Sequence, residues 1–118
     1  MRKTLAILFG TLVAATALVI PTLGSTAGQT VRVSEVDGRI SLSARPRGGT
    51  VKFVVRNNGD EGHDFHVRGG GRSWKTRVLG VGSSATITVK LKKGVRYSYW
   101  CGVSDHAQEG MRGSFRAR

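Results

Sequence analysis

The chain has 118 residues, with 19 Lys and Arg against seven Asp and Glu, a formal charge of +12 and one cysteine. That length allows one domain with a small core, and a lone cysteine excludes an internal disulfide. The charge points to an acidic partner, an anionic membrane face or nucleic acid without choosing among them.

The first segment opens with Arg2 and Lys3 and continues as an apolar run from Leu5 to Ile20, stopped by Pro21. Ser25, Thr26 and Ala27 then supply the small residues a signal peptidase requires. Residues 1–27 are therefore expected to be a cleaved secretory signal, with an uncleaved anchor helix as the rival, because the run is close to the minimum span of a bilayer. No cysteine lies near that junction to carry a lipid. Removal of residues 1–27 leaves residues 28–118 as the folded domain, 91 residues with a charge near +10.

Beyond the leader the sequence has no long helical period. Short alternating runs are separated by glycine and polar clusters. In chain order they are TVRVSEV, RISLSA, GGTVKFVVRNNG, GHDFHVR, WKTRVL, SATITVKLKKG, VRYSYWC and MRGSFRAR. About eight strands at this spacing predict an all-β, single-domain antiparallel Greek-key sandwich. Parity assigns faces along each run. His63, Phe65 and Val67 share an inward face and His66 points to solvent. Cys101 shares an apolar face with Val95, Tyr97 and Tyr99, while Trp100 points outward beside it. Lys90, Lys92 and Lys93 read as a solvated edge that discourages strand pairing, with a docking patch as the alternative.

The stretch YSYWCGVSDHAQEGMRG carries the chemistry. Cys101, His106 and Met111 follow one another with four residues between each, on a loop leaving an inward-facing strand end. In an exporting context a lone cysteine is an inert buried thiol, an intermolecular bridge or a metal ligand. An exposed free thiol there is a liability, which favours an occupied one. Thiolate, imidazole and thioether form a soft donor set that suits copper. His63 completes a two-histidine, one-cysteine plane. The alternatives are an ordinary buried histidine at 63 and a core-filling methionine at 111.

NNGDEGHDFHV together with YSYWCGVSDHAQEGMRGSFRAR resembles the cupredoxins, the small blue copper proteins that include plastocyanin, azurin and rusticyanin. The similarity covers residues 28–118 and fills all four ligand positions. The resemblance implies one type 1 copper ion held by His63, Cys101, His106 and an axial Met111, with the Gly62 carbonyl a further axial candidate. It also carries two departures. Ser104-Asp105 stands where related loops often have Pro-Gly before the histidine. Asp64 stands where an asparagine commonly ties the two ligand loops together. Carboxylates there are expected to favour Cu(II), against the pull of the many basic residues.

The implied function is a small exported one-electron carrier, not an enzyme, working outside the cytoplasm. Copper storage or delivery is the alternative. Three histidines are too few for a second, catalytic copper centre beside the first. An acidic redox protein or an anionic membrane or cell-wall surface is the expected partner, and the chain is expected to be a monomer. Nucleic-acid binding is not expected, because the aromatic residues fit core and metal-site positions better than a stacking platform.

Overall fold

The computed structural model describes residues 4, 6–7, 10–17 and 28–118. The expected leader, residues 1–27, therefore lies largely outside the described residues. No helix among those described is long and apolar enough to cross a membrane.

Among the described residues, eight strands form two four-stranded sheets. The first sheet has the order β2-β1-β3-β6, from β1 (Gln29–Val36), β2 (Arg39–Leu42), β3 (Gly49–Asn57) and β6 (Ser84–Leu91). The second has the order β5-β4-β7-β8, from β4 (His66–Gly69), β5 (Arg72–Lys75), β7 (Arg96–Trp100) and β8 (Arg112–Arg116). Alternation sets the inner faces. Val31 and Val33 of β1 and Val51, Phe53 and Val55 of β3 meet Val67, Tyr97 and Phe115 across the sandwich, all buried. Phe53 anchors an aromatic layer, with ring centroids 5.4 Å from Phe65 and 6.4 Å from Phe115. Lys90, Lys92 and Lys93 are exposed along and just beyond the edge strand β6.

Among the described residues the pairing is antiparallel with one exception: β1 runs parallel to β3, from Gln29 opposite Val51 to Glu35 opposite Asn57. The β1–β2 hairpin turns at Asp37-Gly38, with Gly38 at φ 83°, so β3 must enter on the other flank of β1 and in the same direction. Sequence alternation reports which face a residue occupies but not which strand lies beside it, so it could not show this parallel pair.

One strand also begins later than its alternation predicts. The run GHDFHVR joins the sheet only from His66. Residues 63–65 instead pair with the segment that follows β5: His63 N–H donates to the Leu79 carbonyl at 3.1 Å, and the His63 carbonyl accepts from Leu79 N–H at 2.7 Å. Thr76 holds both backbone groups of Phe65, donating its N–H at 2.9 Å and accepting through Oγ1 at 3.1 Å. The inward parity of His63, Phe65 and Val67 survives, and each is fully buried.

Candidate metal centre

Three loops converge at the end of the sandwich where β1, β3 and β7 finish. The loop after β3 is tied down by Asn57, whose amide donates to the carbonyls of Glu61 at 2.7 Å and Leu79 at 2.9 Å. Its Oδ1 accepts the Gly59 N–H at 2.9 Å. His63 is thereby delivered inward. The loop after β7 is closed by Cys101 N–H donating to the Met111 carbonyl and Met111 N–H donating to the His106 carbonyl, both at 3.0 Å. That short circuit places the three residues of the Cys-x4-His-x4-Met motif side by side.

The structure brings together three of the four residues expected from sequence through their side-chain atoms. His63 Nδ1 and His106 Nδ1 lie 3.1 Å apart, and Cys101 Sγ lies 3.8 Å and 3.7 Å from them. All three residues are buried, and they form a candidate metal-binding group. Met111 is buried against the same loop, bonded through its backbone to Cys101 and His106. His66 stays outside the cluster, as parity predicts. It stacks on Trp100 with centroids 5.1 Å apart, and its Nε2 lies 2.9 Å from Asp64.

The outer nitrogen of each imidazole meets a carboxylate. His63 Nε2 lies 2.9 Å from Asp37 Oδ1, and His106 Nε2 lies 2.7 Å from Glu61 Oε2. Carboxylates accept, so each ring donates its Nε2–H outward and turns a bare Nδ1 lone pair inward. Two such lone pairs facing each other at 3.1 Å inside the protein repel unless a cation, a proton or a metal, stands between them. Bonds of about 2.0–2.1 Å to imidazole and about 2.3 Å to thiolate, as zinc makes them, separate the donors by roughly 3–4 Å. The observed triangle has those edges, so the residues fit a soft metal ion.

Electrostatics sharpen the picture. Burial pushes the Cys101 thiol above its usual pKa, with the charges of Asp64 and Glu35 adding to the effect and nearby backbone N–H groups opposing it. The bond to His63 holds Asp37 below the usual carboxylate range, helped by backbone N–H groups of Asp60 and Glu61. Gly59 makes this contact possible, because a Cβ there would collide with the Asp37 carboxylate and lie 2.8 Å from His63 Nε2.

Asp64 reproduces the loop-tying role expected of an asparagine: Gly102 N–H donates to its Oδ1 at 2.6 Å. Asp105, by contrast, is exposed and accepts from the Ser104 hydroxyl at 3.2 Å.

Sequence reasoning missed Asp37, Glu61 and Glu35. The first two reach the site from a hairpin turn and a loop 26 and 45 residues from the histidines they touch, a placement no local pattern encodes. Glu35 is fully buried with neither carboxylate oxygen partnered, and its pKa is pushed up to about 8, first by burial and then by the charge of Asp64.

No protein-family model matches this chain, and no curated protein matches it. Solved structures do. Reduced auracyanin from the photosynthetic bacterium Roseiflexus castenholzii superposes with a TM-score of 0.64 at 18% identity, over 78% of this chain and 98% of that one. Rusticyanin from Thiobacillus ferrooxidans gives 0.57 at 20% identity, over 78% and 79%. A multicopper oxidase gives 0.54 at 18% identity, over 75% of this chain and 41% of that one. At these identities the likeness is one of fold.

Proposed function

From the cupredoxin fold that this chain shares with auracyanin and rusticyanin, we propose that it is a small exported blue copper protein carrying one electron at a time. The observation that carries the reading is the buried triangle of His63 Nδ1, His106 Nδ1 and Cys101 Sγ. Cys101, His63 and His106 would hold the copper ion, and Met111 would add a further soft donor. Copper bound there supplies a single one-electron couple, Cu(II) and Cu(I).

The residues of the chain supply the rest. Cys101, His63 and Met111 are fully buried, which keeps water from the donors. Asp37 and Glu61 fix both imidazole tautomers, and Asp64 locks one ligand loop to the other. A frame this constrained holds similar donor positions in both oxidation states, which keeps reorganisation on electron exchange small. Because the Cys101 thiol is held protonated by burial, metal binding must expel its proton. His66 is engaged by Asp64 and Trp100, which supports a carrier rather than an oxidase centre. The N-terminal charge, apolar run and small residues support work outside the cytoplasm.

The test is direct. Purified protein given Cu(II) should bind one ion and develop an intense visible thiolate-to-copper band, and Cys101→Ser should lose the band while staying folded. A colourless wild-type protein, or a band that survives in the variant, overturns the proposal.

A further inference from the structure

All seven carboxylates of this strongly basic chain fall in three segments, 35–37, 60–64 and 105–109. These are the end of β1 with its turn and the two ligand loops, so the acidic residues gather at the metal end and leave the flanks to cations. The outer face of the first sheet carries the most regular pattern. Alternation turns Val31, Val33, Val51, Phe53, Val55 and Val89 inward, all of them buried. Arg32, Lys52, Arg56 and Lys90 therefore point outward, and all four are exposed. Among the described residues none of the four forms an ion pair. The one carboxylate within these strands, Glu35, is buried on the opposite side.

Strand register sorts this face into rows, each with one cation among hydroxyls. Arg56 lies between Ser34 of β1 and Ser84 of β6, and Ser34 in turn faces Ser41 of β2. One row down, Val54 lies between Arg32 and Thr86. Below that, Lys52 lies between Thr30 and Thr88, and the last row pairs Thr50 with Lys90. Rows two residues apart on β3 recur about every 6.6 Å, at about 3.3 Å per residue. A groove of about 410 Å³ opens at the upper rows, lined by Arg32, Ser34, Ser41, Arg56, Asn58 and Ser84. Asn58 braces it: its amide donates to Ser34 Oγ at 2.8 Å, and its Oδ1 accepts from Arg56 Nε–H at 2.9 Å. That leaves the outer guanidinium N–H groups and the Ser34 hydroxyl proton to meet an anion. No outward residue of β1, β3 or β6 is aromatic, and the apolar residue at the centre, Val54, is half-buried.

We infer that this face binds a linear polyanion without aromatic groups, a polyol chain joined by phosphodiesters, laid along β3 with one phosphate to each row. The repeat of a three-carbon polyol phosphate contains six backbone bonds, as many as two residues of extended peptide, so an extended chain keeps step with the rows. The arginines meet phosphate with planar paired donors, the lysines meet it as point charges, and the serine and threonine hydroxyls answer the polymer's oxygens. A nucleic acid brings the phosphates, but its bases would find no stacking partner here. An anionic bilayer would find no large apolar side chain to take in. The face lies away from the ligand loops, so polymer binding needs no metal.

The probe is poly(glycerol phosphate), added to the protein at about 0.1 M salt, where fields reach only about 10 Å. It should shift the amide resonances of β1, β3 and β6 more than those of β4, β7 and β8. The variant Arg32→Gln, Lys52→Gln, Arg56→Gln, Lys90→Gln should stay folded by circular dichroism and bind roughly tenfold more weakly. It should also lose about 0.7 per cation, about 3 in all, from the slope of log affinity against log salt. Removing the same charge from the outer face of the second sheet, as Arg68→Gln, Arg96→Gln, Arg112→Gln, Arg116→Gln, should cost less than about threefold, because that face lies about a screening length away. An equal loss in the two variants means that net charge alone attracts the polymer, and overturns the assignment. Shifts centred on the second sheet or on the ligand loops do the same. Tighter binding of oligothymidylate with the same number of phosphates, or of phosphatidylglycerol vesicles, refutes the choice of partner.

Discussion

Replacing Glu35 by leucine should stabilise the protein, by an amount that grows with pH. The Glu35 side chain is fully buried at the site end of β1, with no partner for either oxygen. Burial raises its pKa from 4.5 to about 8, and the charge of Asp64 adds to the shift. A raised folded-state pKa means the folded chain keeps a proton that the unfolded chain releases near pH 4.5. The associated stability is fully present below that value and is lost as pH climbs through about 8. Over this window the loss is about 1.4 kcal/mol per pH unit, or about 5 kcal/mol in all. Below the window, leucine should still gain about 1–3 kcal/mol, because a protonated carboxyl without a partner remains costly. The assay is guanidinium unfolding of metal-free wild type and Glu35→Leu from pH 5 to 8.5. Titrations common to both proteins cancel in the difference, which isolates Glu35 and its coupling to Cys101. Parallel pH profiles, or a variant less stable than wild type at pH 8, would refute the reasoning.

Neutralising the carboxylate behind one ligand, as Asp37→Asn, should weaken copper binding by roughly 10–100-fold in a competition titration. It should also raise the reduction potential, since a negative charge favouring Cu(II) is removed. Gly59→Ala should reproduce much of that loss without changing any charge, because its Cβ displaces Asp37 from His63; an unaltered affinity would show that the contact does not position the ring. His63→Gln should abolish the visible band, whereas His66→Gln should keep it, and the reverse pattern would place the wrong histidine in the plane. Phe53→Ala, which empties the centre of the aromatic layer, should cost about 3–5 kcal/mol in chemical denaturation.

How much of this was legible beforehand depends on what each feature requires. Inward parity sufficed for Cys101, for His63 and for rejecting His66, because an alternating strand fixes faces regardless of its neighbours. Parity even held a warning about Glu35, which falls on the same face as Val31 and Val33, so a polar residue was aimed at the core. The parallel β1–β3 pair, the late start of β4 at His66 and the carboxylates behind the histidines were hidden for a shared reason. Each depends on which distant segment arrives alongside, and only the packed chain decides that. Asp64 lay in between: its position opposite the loop after Cys101 followed from the resemblance, whereas its bonds to Gly102 and His66 needed the fold.

The two ends of the domain leave from one place. Gly28 lies against the backbone of Thr50, at the start of β1 and β3, and Arg118 exchanges backbone bonds with Pro46 and Gly48. From Gln29 to Glu35, β1 climbs roughly 20 Å to the ligand loops at about 3.3 Å per residue. Any tether, whether a retained leader, a fused domain or an engineered linker, therefore pulls on the end of β1 opposite the ligand loops. A surface-bound copy would stand like a lamp on its stem, with the metal end held out into the medium. Immobilising the protein through either terminus should accordingly leave metal uptake as fast as it is in free solution.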